Sequence, residues 1–196
     1  KALHLEMSDE KTKITHGTDK ARFLGYDITT SKNSALMYDK KHQLRKTHTG
    51  VIKLYAPRDK WQRKLMEYGA LSIRYGEDGK EIWDSKHRGN MVHMTDVEIV
   101  STVNAEIRGM YNYYSIANNA TVIKNFAFIL EYSMYKTFGL KYRKSVYKIQ
   151  RKFRKNGIFC VPYNAKTGLK YCEFYHDGFK HKKDTCRFNP DLLPPY

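Results

Sequence analysis

With 196 residues, 41% of them apolar and including 16 Tyr and 9 Phe, the chain has material for one domain or two small ones, and for a modest core. The net charge of +16 points to a polyanionic partner, because each phosphate neutralised on binding releases counterions, and solubility alone needs no such excess. The composition argues against a membrane-spanning, signal-bearing or disulfide-framed protein: no apolar run reaches spanning length, and Cys160, Cys172 and Cys186 are odd in number and widely spaced.

Leu3 to Met7 alternates apolar and polar residues as a half-buried strand does, and ARFLGYDITT (21–30) reads as a second strand, so the two predict a hairpin. Residues 31–50, rich in Ser, Asn, Thr and Lys, read as a solvated loop, and VIKLYA (51–56) as another short strand. Pro57 then occupies a position that a first helical turn accepts. Trp61, Leu65 and Tyr68 follow at i, i+4 and i+7, with Gly69 as the stop. Residues 72–94, with Gly76, Gly79 and Gly89 among many charges, read as a connection of weak regularity.

The clearest helix opens at Thr95, with Glu98 in capping-box register, and carries Val100, Val103, Ile107, Met110 and Tyr114 as one apolar stripe as far as Asn118-Asn119. A second is expected from about Val122 to Phe138, burying Phe126, Ile129, Leu130, Met134 and Phe138, with Gly139 as its stop. A third begins near Arg143, with Val146, Ile149 and Phe153 inward, and ends at Asn156-Gly157. The short connections predict a helical bundle. After Gly157 the texture changes to IFCVPY and KTGLKYCEFY, then to a polar tail that ends in prolines.

Charge is concentrated in one place. Residues 119–158 carry +9, and between Lys136 and Lys155 stand nine basic residues and no acidic one: Lys136, Lys141, Arg143, Lys144, Lys148, Arg151, Lys152, Arg154 and Lys155. On a continuous helix Lys144, Lys148, Arg151 and Lys155 share a face, and such a stripe repels itself by a few tenths of a kcal/mol, roughly, per i,i+4 pair. A phosphate backbone would relieve that repulsion; a solvated basic face is the alternative. Arg108, Asn112, Tyr113 and Asn119 fall near the polar side of the bundle, where a tyrosine can stack on an unpaired base, while Tyr111 and Tyr114 read as partly core.

Catalytic patterns are weak. Two-metal phosphoryl transfer needs converging carboxylates, and the sequence has no Asp-Asp pair. Cys172, His176, His181 and Cys186 have the ligand types of a zinc site at spacings unlike the common knuckle, so a zinc-dependent nuclease module stands as the rival reading, beside an unligated set of surface His and Cys residues. A basic face docked on an acidic protein is a third.

Several segments resemble, in order, the group II intron-encoded reverse transcriptase/maturase family. EKTKITH (10–16) and ARFLGYDI (21–28) are similar to its last reverse-transcriptase motif. TDVEIVSTVNAEIRGMYNYYSIANN (95–119) resembles the opening of the maturase, X or thumb, region with its RG-x-x-NYY signature. FAFILEYSMYKTFGLKY (126–142) resembles the next X helix, and GIFCVPY (157–163) the entry to the DNA-binding region.

The resemblance implies a protein that binds its intron RNA to promote splicing and copies it during retrohoming. Its partners would be intron RNA, primer–template nucleic acid, target DNA and the rest of the same polypeptide, in a bacterial cytoplasm or an organelle and without a membrane. By motif match it adds Arg108, Asn112, Tyr113, Lys136, Lys141 and Tyr142 as RNA-side candidates. The family's Tyr-x-Asp-Asp motif and its zinc-dependent nuclease fall outside this chain. No catalytic residue, metal ligand or cofactor is therefore expected here, and any Mg2+ would belong to the parent polymerase.

The expected architecture is mainly α. It places the end of a reverse-transcriptase palm at 1–50, a connection with the first thumb helix at 51–94, a thumb-like helical bundle at 95–157, and a small irregular segment at 158–196 that begins the DNA-binding region. The chain is expected to be a piece of a longer polypeptide.

Overall fold

The structure, a computed structural model, describes residues 14–31, 36–46, 50–166 and 168–182, and the chain divides into two units, Lys1–Tyr55 and Ala56–Tyr196. In the first unit the chain reverses at Leu24-Gly25, both with positive φ (46° and 76°), the geometry of a tight hairpin turn that matches strand twist. That turn joins β1 (Ala21–Phe23) to β2 (Tyr26–Thr30), and an Arg22–Asp27 pair at 3.0 Å ties the two strands. A second hairpin joins β3 (Leu36–Tyr38) to β4 (Leu44–Lys46); between them the Asp39 carboxylate accepts the Lys41 and Gln43 N–H groups at 2.8 and 3.0 Å. β5 (Ile52–Tyr55) pairs antiparallel with β2.

In the second unit α1 (Arg58–Glu67) follows Pro57 and buries Trp61 and Leu65. Asn119 fixes its entry: the Asn119 amide accepts the Ala56 N–H at 2.7 Å and donates to the Ala56 carbonyl at 3.1 Å, so one side chain satisfies both backbone polar groups of Ala56. A hairpin of β6 (Leu71–Tyr75) and β7 (Glu81–Ser85) comes next, then a 3-10 turn at Gly89–Met91 that drives Met91 into the core.

α2 (Asp96–Tyr114) opens with a complete capping box: the Thr95 hydroxyl accepts the Glu98 N–H and the Glu98 carboxylate accepts the Thr95 N–H at 2.7 Å. α2 packs on α3 (Ile123–Tyr142), burying Ile99, Val100, Val103 and Ile107 against Phe126, Leu130, Met134 and Phe138. Each such side chain contributes about 1.5–3 kcal/mol of burial. Of the stripe expected on α2, Met110 alone is only partly covered. α4 (Val146–Phe153) is followed at once by β8 (Arg154–Lys155), β9 (Ile158–Ala165) and β10 (Gly168–Glu173), a three-stranded antiparallel sheet in the order β10-β9-β8. Among the described residues no helix is long and apolar enough to cross a membrane.

The architecture is mixed, not mainly α. Of the described residues 39% are helical and 27% strand, and the four helices are accompanied by four small sheets. β1, β2 and β5 fall where the sequence reads as strand, and the others arise where it reads as loop, weak connection, irregular segment or helix stop. Asn156-Gly157, expected to end a helix, has φ of 52° and 82° and turns the β8–β9 hairpin. Residues 72–94 hold most of the β6–β7 hairpin and the 3-10 turn, and 158–165 and 168–173, expected to be irregular, form β9 and β10.

The hairpin foreseen between 3–7 and 21–30 lies partly outside the described residues; within them, 21–30 is itself a hairpin. Gly139 does not stop the second bundle helix. α3 runs on to Tyr142, and Arg143, at φ 51°, is the left-handed cap; the Lys144 N–H then closes on the Gly139 carbonyl at 2.9 Å. Gly139 is needed for a different reason, since a Cβ there would lie 2.9 Å from the Lys144 carbonyl oxygen.

Candidate nucleic-acid interface

Phe138 of α3, Phe153 of α4 and Phe159 of β9 form a triangle with all three centroid separations 5.4 Å, and Tyr135 and Tyr142 extend it at 5.2 Å from Phe159 and 5.9 Å from Phe153. This aromatic seat fixes the short α4 and the hairpin after it, while Ile149 is fully buried beneath the helix. With the apolar side so anchored, Lys148, Arg151 and Lys152 of α4 and Arg154 and Lys155 of β8 are exposed, as are Arg143 and Lys144 before the helix. None of these seven takes part in an ion pair among the described residues.

The basic stripe is not one helical face. α4 starts at Val146 after Ser145, so Lys144 precedes the helix, and Lys155 is on a strand. The charges are instead spread over a helix and the hairpin that follows it. Aromatic rings support two of them: Lys152 Nζ lies 4.6 Å from the Tyr142 ring centroid and Lys155 Nζ 4.3 Å from that of Tyr171. Lys152, Arg154, Lys155, Pro162 and Tyr171 bound a shallow concavity with Cys160 at its base. Tyr147, 70% exposed, stands beside Lys148. Sequence reading missed Tyr147 and Tyr171; the pairing of Tyr147 with lysines at 144 and 148 was a usable signal, whereas Tyr171 gains its meaning from strand pairing alone.

Three of the six candidates contributed by motif match face inward. Lys136 Nζ donates to the Ser85 carbonyl at 2.5 Å, tying α3 to β7. Lys141 Nζ donates to the Met94 carbonyl at 2.5 Å and to Asp96 at 2.7 Å, and the Tyr142 hydroxyl donates to the other Asp96 oxygen. These residues clamp the end of α3 to the start of α2. Burial, with the Asp96 carboxylate, pushes the Tyr142 phenol up to about 12. A phenol raised in the folded state contributes stability that is whole below the ordinary value near 10 and is lost as pH rises through the folded value. Urea titrations from pH 9 to 12 should therefore show a shallower alkaline decline for Tyr142→Phe than for the parent chain; parallel declines would contradict the clamp.

Arg108, Asn112 and Tyr113 are exposed on α2, Tyr113 edge-on to Tyr114 at 4.9 Å. Arg108 faces a cleft between α2 and the β9–β10 hairpin, so these three and the α4 cluster are on different elements. Tyr111 and Tyr114 are buried, and Tyr111 donates to the Lys180 carbonyl at 2.7 Å.

Of the zinc-type residues, the His181 ring is engaged by the Ala117 carbonyl at 2.9 Å, and that of His176 by the Phe174 carbonyl at 3.0 Å. Burial pushes the Cys172 thiol up, away from the thiolate a metal takes. Cys186 lies outside the described residues, and among those described no three His, Cys, Asp or Glu side chains converge on a metal position.

Residues 49–194 match the family model described as type II intron maturase. Over 97% of its length the chain is 31% identical to the group II intron-encoded protein LtrA of Lactococcus lactis subsp. cremoris, covering 31% of that protein. It is 29% identical to a putative COX1/OXI3 intron 2 protein of Saccharomyces cerevisiae over 97% of its length and 22% of that protein's. Over 60% of its length it is 34% identical to an uncharacterized 91 kDa protein in a cob intron of Schizosaccharomyces pombe, of which it covers 13%. The chain thus spans about a third or less of the curated relatives it matches.

Proposed function

Because this chain belongs to the type II intron maturase family, we propose that it binds group II intron RNA and helps hold it in a splicing-competent fold. The observation that carries this reading is the cluster Arg143, Lys144, Lys148, Arg151, Lys152, Arg154 and Lys155, exposed and outside every ion pair among the described residues, on a helix–hairpin unit locked by the phenylalanine triangle. A rigid platform of that charge suits a phosphate backbone, and Tyr147 and Tyr171 at its margins suit bases or sugars. In the full polypeptide the same surface would grip primer–template nucleic acid and target DNA, with polymerase chemistry supplied outside this chain, whose own work is to bind and position.

Binding to a folded group II intron RNA across a salt series, with a structured RNA of equal length as control, tests the proposal. Preference for the intron that survives moderate salt is the expected result. Equal and steeply salt-dependent binding to both would reduce the surface to a general clamp. No binding at low salt would overturn the reading.

A further inference from the structure

α2 and the β9–β10 hairpin enclose a cleft of about 530 Å3, within the size range of small-ligand sites. Ser101 and Arg108 of α2 form one wall. Tyr163 of β9 and Cys172 of β10, which share one face of the hairpin, form the other, and Asp177 also lines the cleft.

The walls are held in place by bonds that a ligand need not form. The buried Asn104 amide donates to the Glu173 carbonyl at 2.7 Å and accepts the Tyr175 N–H at 2.8 Å, and the Phe174 N–H reaches the Phe159 carbonyl at 2.8 Å. Such a preformed cleft loses little freedom on binding. Tyr163 is 36% exposed, so aromatic surface is open to a planar guest.

The charges here differ from those of the α4 platform. Arg108 shares the lining with the Asp177 carboxylate, a balance that disfavours phosphate and favours a neutral ring with donors and acceptors. Tyr171 borders both this cleft and the Lys152, Arg154 and Lys155 concavity. A strand with its phosphates on those bases would reach the cleft with a base.

We propose that this cleft holds one unpaired base of a single strand, guanine fitting best because its O6 and N7 accept from Arg108 while its N1–H and amino group donate to Asp177. The strand's path rests on the RNA-binding reading of α4; the cleft itself does not.

The test uses fluorescence anisotropy with the whole chain and three probes: a nine-nucleotide oligoadenylate carrying one central guanosine, its all-adenosine counterpart, and an RNA duplex. DNA versions of the two single strands tell whether the sugar matters. The guanosine strand is expected to bind about tenfold tighter than the all-adenosine one. Arg108→Gln should bring that ratio close to one, Tyr163→Leu should weaken both single strands about tenfold, and Tyr163→Phe should keep the affinity. Duplex binding, expected to persist in all three variants, shows that each is folded and reports on the α4 platform separately. An Arg108→Gln chain that keeps the guanosine preference, or a Tyr163→Leu chain that binds as the parent does, would overturn the base site. Loss of duplex binding in the parent chain with the preference intact would overturn the platform and leave the cleft standing.

Discussion

Replacing Lys148, Arg151 and Lys155 together with glutamine is expected to lower affinity for structured RNA by about two orders of magnitude at 0.1 M monovalent salt, and by little near 1 M. Each lost phosphate contact removes its released counterions, so the slope of log affinity against log salt should flatten by about 2–3 units. All three side chains are exposed and belong to no ion pair among the described residues, so their removal leaves no carboxylate stranded. The fold should be unaffected, because the platform is held by Ile149, Phe153 and Phe159, which the substitutions do not touch. Lys155→Gln also removes the cation from the Tyr171 ring, 4.3 Å away, so that position should matter more than a charge count implies. An unchanged salt slope in a folded variant would sink the platform.

The same region shows what the sequence could and could not disclose. The +9 charge of residues 119–158 is a local property and could be read directly. So could the helices that carry apolar residues every three or four positions: the stripe Val100, Val103, Ile107 and Tyr114 is buried, and the Thr95–Glu98 capping box is present. β2 and β5 were legible too, at 21–30 and 51–56, but the remaining strands were hidden for a physical reason. β8 has two residues and β1, β3 and β4 three each, too short for alternation to register, and they exist through pairing with partners chosen by the turns between them. Asn-Gly with positive φ at both residues is as sound a hairpin turn as it is a helix stop, and local pattern does not decide between the two.

Motif match had the opposite weakness. It pointed to Lys136, Lys141 and Tyr142 as residues that face RNA, yet the structure gives all three internal partners, Ser85, Met94 and Asp96, from 40 or more positions away in the chain. A cation's partner at that separation leaves no trace in local sequence. The cleft proposed to take a base is assembled the same way, from α2 and a hairpin more than 40 residues later.

Arg88→Met is expected to cost the fold about 3–5 kcal/mol, and the double substitution Arg88→Met, Glu106→Leu to restore most of that loss. Arg88 and Glu106 have side chains only 8% and 12% exposed and meet through two parallel bonds of 2.7 and 2.8 Å, with the Tyr68 ring 5.3 Å from the guanidinium. The pair bridges α2 and the segment after β7. The Arg88 N–H donates to the Thr137 hydroxyl of α3 at 2.9 Å, and Ser133 of α3 donates to the Lys86 carbonyl at 2.5 Å.

Removing the guanidinium alone leaves a nearly buried carboxylate without its counter-charge, which is the costly event; removing both charges leaves apolar side chains among Tyr68 and its neighbours. A loss of that size is a large share of the stability of an ordinary domain. Urea midpoints at constant m would separate the cases. A single variant within about 1 kcal/mol of the parent would mean that Glu106 finds water when Arg88 is gone. A double variant as unstable as the single would shift the cost from stranded charge to lost packing. In neither case should the salt slope of RNA binding by the folded protein change, because Arg88 belongs to the joint between α2 and α3 and the phosphate platform to α4 and β8.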